Sequence, residues 1–269
     1  MKKKLILLIS CASNKVHTIQ YIESVLSRFN TKSIIFVSDR NSNSIIKNFD
    51  YKFYKIPDLL DINKVKILKI CKKKKIDIVI PTSDLELLFW SKHKVEFKDN
   101  KIYPMISDHK TISICQDKWL FYKLLKKNKI NTPKSFLFLK NIINKNKKFI
   151  IKERNSLSIN KSYYKDISFK NLRNKILLFK KPIIQEHISG KEISIDIFIK
   201  NQVISKDNII MRYRDNVKFG ESEKTTIFKN NSFLKKIIDL LKLFNFEGHI
   251  MFQAIINKKK ISIIECNPR

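Results

Sequence analysis

The chain has 269 residues, 43% of them hydrophobic, and a formal charge of +32. That is enough apolar material for two or three compact units and excludes a disordered polycation, while no apolar run approaches the roughly 18 to 20 residues of a membrane helix. The lysines are spread along the whole chain among many Asn and Ile residues, with only three glycines, which reads as a bias towards AT-rich codons and a solvated basic surface; a non-specific nucleic-acid footprint stays open beside it.

The opening MKKKLILLISCAS imitates a lipoprotein export signal. Its apolar stretch, Leu5 to Ser10, is shorter than the ~7 to 15 residues of an export core, and a buried strand over residues 4–10 accounts for it. Four cysteines (Cys11, Cys71, Cys115, Cys266) show no CxxC or metal spacing, which implies a reducing cytoplasm without disulfides or zinc. Residues 15–29 place Val16, Ile19, Ile22, Val25 and Leu26 at helical spacing. SIIFVSD, ending at Asp39, reads as a second strand. DINKVKILKICKKKK reads as a helix, IDIVIPTSD as a third strand stopped by Pro81, and LELLFWSKHKVEF as another helix. This alternation predicts a Rossmann-like parallel sheet with crossover helices over residues 1–107. SCASNKV stands where a dinucleotide site would carry GxGxxG, so Asp39 is expected to be an exposed strand-end residue.

The second part is α+β. SDHKTISICQDKWLFYKLLKKNKINTP holds one or two capped helices, ended by Pro133; KSFLFLK and KKFIIKERN are short strands, and DISFKNLRNKILLFKK is a helical crossover. PIIQEHISGKEISIDIFIKNQVIS alternates apolar and polar residues as antiparallel strands do. SFLKKIIDLLKLFNF is an amphipathic helix, and GHIMFQAIINKKKISIIECN closes as a hairpin.

In that hairpin Glu265 and Asn267 are two apart, so their side chains share a face. Gln253 on the partner strand stands opposite Glu265 if the loop has an odd number of residues, for example Lys258 to Lys260. Three oxygen-bearing side chains then converge, as a hard divalent cation requires, and Arg269 just beyond suits a phosphate oxygen. A polar outer face of the hairpin is the alternative.

Lys118 in CQDKWLFYKLL, Lys152 ending FIIK, QEHISGKEISIDIF, IDIVIPTSDLELLFWSKHKVEF and the final IIECNPR stand in an order that resembles the ATP-grasp superfamily, nearest to ligases related to the carbamoyl phosphate synthase large chain. The resemblance spans the chain. It implies a pre-ATP-grasp domain at 1–107, an N-terminal grasp subdomain with the lid at 108–184, and a C-terminal metal and nucleotide subdomain at 185–269. It also implies ATP and Mg²⁺ (or Mn²⁺). Lys118 and Lys152 would reach the nucleotide phosphates, Gln185, Glu186, His187 and Ile188 would hold adenine through the backbone, and Glu192 would accept from the ribose. Glu265 and Asn267 would bind metal with Gln253 as a third ligand, and Arg269 would lie near the transferred phosphate. Arg212 and Arg214 fall where such ligases carry substrate- or phosphate-facing basic residues, with plain surface solvation as the alternative.

The family's lid is glycine-rich; here its place reads ERNSLSINKSY, without glycine, where Ser156, Ser158, Asn160 and Lys161 could contact phosphate by side chain. The family also continues past NPR, so an ending at Arg269 reads as half of a site, in a fragment, a split gene product or a decaying enzyme; a homodimer or a complementing C-terminal chain stays open as partner. The expected activity is ligation of a small-molecule carboxylate to an amine through an acylphosphate, with Lys152 and Arg269 in the phosphoryl transfer. A weakly active or inactive nucleotide-binding protein is the second reading, and a non-specific nucleic-acid binder the third. Neither a membrane nor a specific nucleic-acid partner is expected.

Overall fold

The computed structural model describes residues 4–13, 15–155, 163–218 and 221–268. The chain separates into two compact units, one ending at His109 and one spanning Lys110–Pro268. No helix among the described residues is long and apolar enough to cross a membrane.

The first unit is built from β1 (Leu5–Ser10), α1 (Val16–Arg28), β2 (Ser33–Asp39), β3 (Lys52–Lys55), α2 (Lys64–Lys73), β4 (Ile78–Pro81), α3 (Leu87–Lys92), α4 (Lys94–Asp99) and β5 (Tyr103–Pro104). Its five strands form a parallel sheet in the order β3-β2-β1-β4-β5. Continuous apolar runs such as LILLIS suit strands of a sheet whose faces are covered by crossover helices. Leu7, Ile9, Ile35 and Val37 pack with Ile19 of α1 and with Ile46. Two details depart from the sequence reading: the short strand β3 was expected to be connecting chain, and the single helix expected over LELLFWSKHKVEF is broken at His93 into α3 and α4. Glu86, 1% exposed, joins the ends of β1 and β4. Its carboxylate accepts from Ser10 Oγ, from the amides of Thr82 (2.7 Å) and Ser83 (3.0 Å), and from Trp90 Nε1 (2.9 Å). Burial still pushes its pKa above the usual carboxylate range.

The second unit continues with α5 (His109–Gln116), α6 (Lys118–Lys127), β6 (Ser135–Phe136), β7 (Lys148–Glu153), β8 (Tyr163–Ser168), α7 (Phe169–Ile176), β9 (Pro182–Glu186) and β10 (Lys191–Ile199). It closes with β11 (Ile209–Lys218), β12 (Glu221–Phe228), α8 (Asn231–Leu241), β13 (Gly248–Asn257) and β14 (Lys260–Pro268). It holds two antiparallel sheets, β6-β9-β7-β8 and β12-β11-β10-β13-β14. A parallel-sheet α/β domain followed by antiparallel α+β architecture is the fold class expected from the sequence.

The larger sheet has two unlike faces, because side chains alternate along each strand. Ile193, Ile195, Ile197, Met211, Ile250, Phe252, Ala254, Ile263 and Cys266 pack on α8 and on Phe121 and Leu125 of α6. The opposite face therefore carries Glu192, Ser194 and Asp196 of β10, Arg212 and Arg214 of β11, and Gln253 of β13.

The closing hairpin corrects one expectation. Asn257 pairs with Lys260, so the loop is only Lys258 and Lys259, an even number. An unbroken register from that turn would set Gln253 opposite Ile264. Instead Ala254 pairs with Ile263 and Gln253 with Glu265, the extra residue being taken up in a β-bulge. Gln253 and Glu265 thus share a face through the bulge, not through the turn.

Candidate functional site

The site grows from the start of α6, the end of β7 and the end of β14. Asp117 caps α6, accepting from the amides of Trp119 (2.9 Å) and Leu120 (3.1 Å). Lys118 is the first helical residue, and its Nζ lies 4.0 Å from Glu265 Oε2. Lys152 Nζ lies 3.8 Å from the same oxygen. Residues 34 and 113 positions apart in sequence therefore meet at one carboxylate.

All three side chains are largely withdrawn from water: Lys118 is 10%, Lys152 15% and Glu265 22% exposed. Burial pulls Lys152 down to about 8 from 10.5; the Glu265 charge opposes this and Lys118 adds to it. Burial alone would raise Glu265, but Lys118 and Lys152, with a hydrogen bond from Asn267, outweigh it and hold the carboxyl below its usual range. Asn267 is 7% exposed, and Gln253 stands directly across from Glu265. Gln253, Glu265 and Asn267 are thus brought together beside both lysines.

Along β10 the same face continues. Glu192 accepts from Arg214 Nη1 at 2.6 Å, and the Arg214 side chain is only 5% exposed, which removes the surface-solvation reading for that residue. Arg212 Nε donates to Asp196 at 2.6 Å, and His249 Nε2 lies 3.3 Å from the other Asp196 oxygen. Ser194, 1% exposed, sits in register between Arg212 and Gln253, and its Oγ has no partner among the described residues.

The segment expected to hold adenine lies at the end of β9. Gln185 is buried and donates to Ser135 Oγ (2.9 Å). The amides of Glu186 and His187 donate to Lys134 O and Lys148 O, both at 2.8 Å, and His187 Nδ1 contacts Asp166 at 2.6 Å. Ile188 lies just past the strand end, outside these pairings. Arg269 and the lid residues Ser156, Ser158, Asn160 and Lys161 fall outside the described residues.

Sequence reasoning missed Asp117 and Arg154. Arg154 donates to Asp117 through Nε (2.8 and 3.0 Å) and Nη2 (2.7 Å). An aspartate immediately before an apolar helical run is the capping signal that could have drawn attention to Asp117; nothing local to ERN identifies its partner.

The metal question can be put to the donor set. Among the described residues no cluster of three His, Cys, Asp or Glu side chains exists. Glu265 with the amides of Asn267 and Gln253 offers one carboxylate and neutral oxygens, which fits a cation that takes one or two carboxylates from protein and the remainder from phosphate and water.

The ATP-grasp domain family matches residues 115–269, and the N-terminal domain of PylC-like proteins matches residues 6–106. No curated protein sequence matches the chain. Among solved structures, an L-amino acid ligase from Bacillus licheniformis superposes with a TM-score of 0.70 at 16% identity, over 100% of this chain and 68% of that one. An N5-carboxyaminoimidazole synthetase from Staphylococcus aureus, complexed with ADP, gives 0.72 at 16% identity over 100% and 72%. A D-alanine–D-alanine ligase from Bacillus anthracis, complexed with ATP, gives 0.63 at 13% identity over 98% and 86%. These likenesses speak for the fold. The family match takes in more than half of the residues, and with it the two lysines and the Gln253–Glu265–Asn267 row: the chain belongs to the ATP-grasp family.

Proposed function

We propose that the chain is an ATP- and Mg²⁺-dependent ligase that joins a carboxylate to an amine through an acylphosphate. The observation that carries this reading is the meeting of Lys118, Lys152 and Glu265 on a sheet face that also presents Gln253 and Asn267, in a chain of the ATP-grasp family. Residues 108–184 and 185–269 would serve as the two halves of the grasp. Two ammonium groups facing one carboxylate form a charge arrangement suited to an incoming polyphosphate, which each lysine can grip as it leaves Glu265. Phosphoryl transfer asks little covalent work of a protein; positioning and neutralisation of charge carry it.

In this reading Lys118 and Lys152 bind the phosphate oxygens, Glu192 orients the ribose with Arg214 behind it, and Ile188, with its neighbours Gln185, Glu186 and His187, meets adenine. Arg269 would serve the transferred phosphate. Glu265, Asn267 and Gln253 would hold Mg²⁺, whose contribution is to neutralise charge on the phosphates. A carboxylate attacks the γ-phosphorus to give acylphosphate and ADP, and an amine then displaces phosphate. The solved relatives named above include ligases of amino acids, which supports this class of reaction without fixing the substrates.

The test is incubation with Mg-ATP and pools of carboxylates and amines. ADP release that requires both partners is expected. In thermal-shift measurements, nucleotide at ~100 times its dissociation constant should stabilise the wild type by about 2.7 kcal/mol. Glu265→Ala should lose most of the Mg²⁺-dependent part, while Glu223→Ala keeps it. A wild type that shows no shift with Mg-ATP would overturn the reading.

A further inference from the structure

The phosphate-facing lysines come from different elements, and the structure shows what ties those elements together. Lys118 opens α6, and its backbone N–H donates to Arg154 O at 3.0 Å. Asp117, one residue earlier, forms a β-bridge with Asn155. Arg154 stands two residues after Lys152, and its guanidinium makes three contacts of 2.7 to 3.0 Å with both Asp117 oxygens. Between them Glu153 turns the other way: its carboxylate accepts from the amides of Lys180 (2.8 Å) and Lys181 (3.1 Å). The backbone that carries Lys152 is therefore fastened by Glu153 to the segment leading into β9 and by Arg154 to the N-terminus of α6.

This fastening answers a physical problem. Two ammonium groups within 4.0 Å of one oxygen repel each other, and each has little water to screen it. Glu265 draws both towards one oxygen, but long flexible side chains do not fix where their backbones stand. A planar guanidinium held on both oxygens of a carboxylate is the ion pair with the most fixed geometry that side chains offer. It is also sheltered, with Asp117 18% and Arg154 30% exposed. Burial would raise the Asp117 pKa, yet the hydrogen bonds from Arg154 and from the helix amides hold it below the usual range.

We infer that Asp117 and Arg154 are a positioning pair: they touch neither nucleotide nor metal, but set the distance between Lys118 and Lys152 at which both can grip one polyphosphate. The inference rests on the nucleotide reading given above and adds to it two residues with a shared task. It makes a selective claim. Loosening the pair should weaken contacts to phosphates and leave contacts to the nucleoside alone.

The experiment measures Mg-ATP and adenosine binding by calorimetry on the full chain for wild type, Asp117→Asn, Arg154→Gln and the double variant. Asparagine caps a helix as well as aspartate, so Asp117→Asn removes the charge and keeps the cap. Each single variant should bind Mg-ATP on the order of ten- to a hundred-fold more weakly, the effect of misplacing a binding group by about an ångström. Adenosine affinity should stay within about two-fold of wild type, and the double variant should be no worse than the weaker single, as coupled residues behave. Arg154→Lys, which keeps charge without the fork, should recover only part. Equal losses for Mg-ATP and adenosine would mean a merely structural role and overturn the inference, as would additive losses or Mg-ATP binding at wild-type strength in both singles. A wild type that binds no Mg-ATP would instead remove the nucleotide reading itself, and the inference with it.

Discussion

Replacing Glu265 by glutamine keeps the size of the side chain and removes the charge that two buried ammonium groups share. Glu265 Oε2 is 4.0 Å from Lys118 Nζ and 3.8 Å from Lys152 Nζ. At an effective dielectric of about 20, each contact attracts by about 4 kcal/mol, before the mutual repulsion of the lysines and the lost hydration are set against it. Removing one partner of a buried pair destabilises by about 3 to 5 kcal/mol, and the residual exposure here places the expected loss near 3 kcal/mol. The pH dependence carries a sign. Lys152 titrates near 8 in the fold against 10.5 unperturbed, so its charged form is disfavoured by folding. Below pH 8 that penalty is fully present, and stability from this group rises with pH between about 8 and 10.5. Without Glu265 the ammonium is less favoured still, so the gap between variant and wild type should be widest near neutrality and narrow as pH passes 8. Urea denaturation followed by tryptophan fluorescence at pH 7, 8 and 9.5 measures it. Equal midpoints at pH 7, or a deficit that widens with pH, would refute the charge-sharing argument.

In the proposed reading phosphate binds the protonated form of Lys152, so Mg-ATP affinity should be flat up to about pH 8 and then fall towards ten-fold per pH unit; calorimetry from pH 7 to 9.5 checks it, and a flat profile throughout would contradict it. Gly190, between β9 and β10, has φ +154°, and a Cβ there would lie 2.4 Å from Ile256 O and 2.6 Å from Ile255 Cγ2. Gly190→Ala should therefore lower stability by about 1 to 3 kcal/mol in urea melts, and an unchanged midpoint would show that the β9–β10 connection yields freely. Cys71 is buried and burial pushes its thiol up to about 12, so a thiol reagent at pH 8 should label it only on unfolding, as mass spectrometry of labelled peptides would show.

What could be read in the sequence follows from how each signal is written there. LILLIS and SIIFVSD announce themselves as strands because burial requires unbroken apolar residues, whereas β3, KFYK, keeps lysines at both ends of an edge strand and reads as connecting chain. The break at His93 has no proline or glycine to mark it. β11 offers its arginines as the visible signal, although Met211 and Tyr213, alternating with Arg212 and Arg214, face the core. The same limit applies to the site. The residue types of Lys118, Lys152, Glu265 and Asn267 and their order resemble the family, so their membership in one site was legible. Their spacing was not, because it depends on Arg154 reaching back 37 residues to Asp117.

The hairpin shows why pairing, and not pattern, decides the last step. Side-chain direction has period two, so a shift of one residue exchanges the faces of a whole strand. With the two-residue turn at Lys258 and Lys259 and no bulge, Ile264 would face Gln253, and Glu265 would be opposite Phe252, which is fully buried against α6 and α8. A carboxylate there would lack both lysines and lie in an apolar core. The extra residue between the Ala254 and Gln253 pairings returns Glu265 to the polar face and sends Cys266 inward beside Phe252. Odd loop or even loop with bulge yield the same pairing of Gln253 with Glu265, and an alternation count cannot tell them apart. The row proposed to hold Mg²⁺ thus depends on where one extra residue is taken up: deleting Ile264 should straighten the ladder, make Ala254–Ile263 and Gln253–Glu265 consecutive pairs and keep the Mg-ATP thermal shift, whereas inserting one residue after Ile264, taken up without a wider bulge, should turn Glu265 and Asn267 off the lysine face and abolish it.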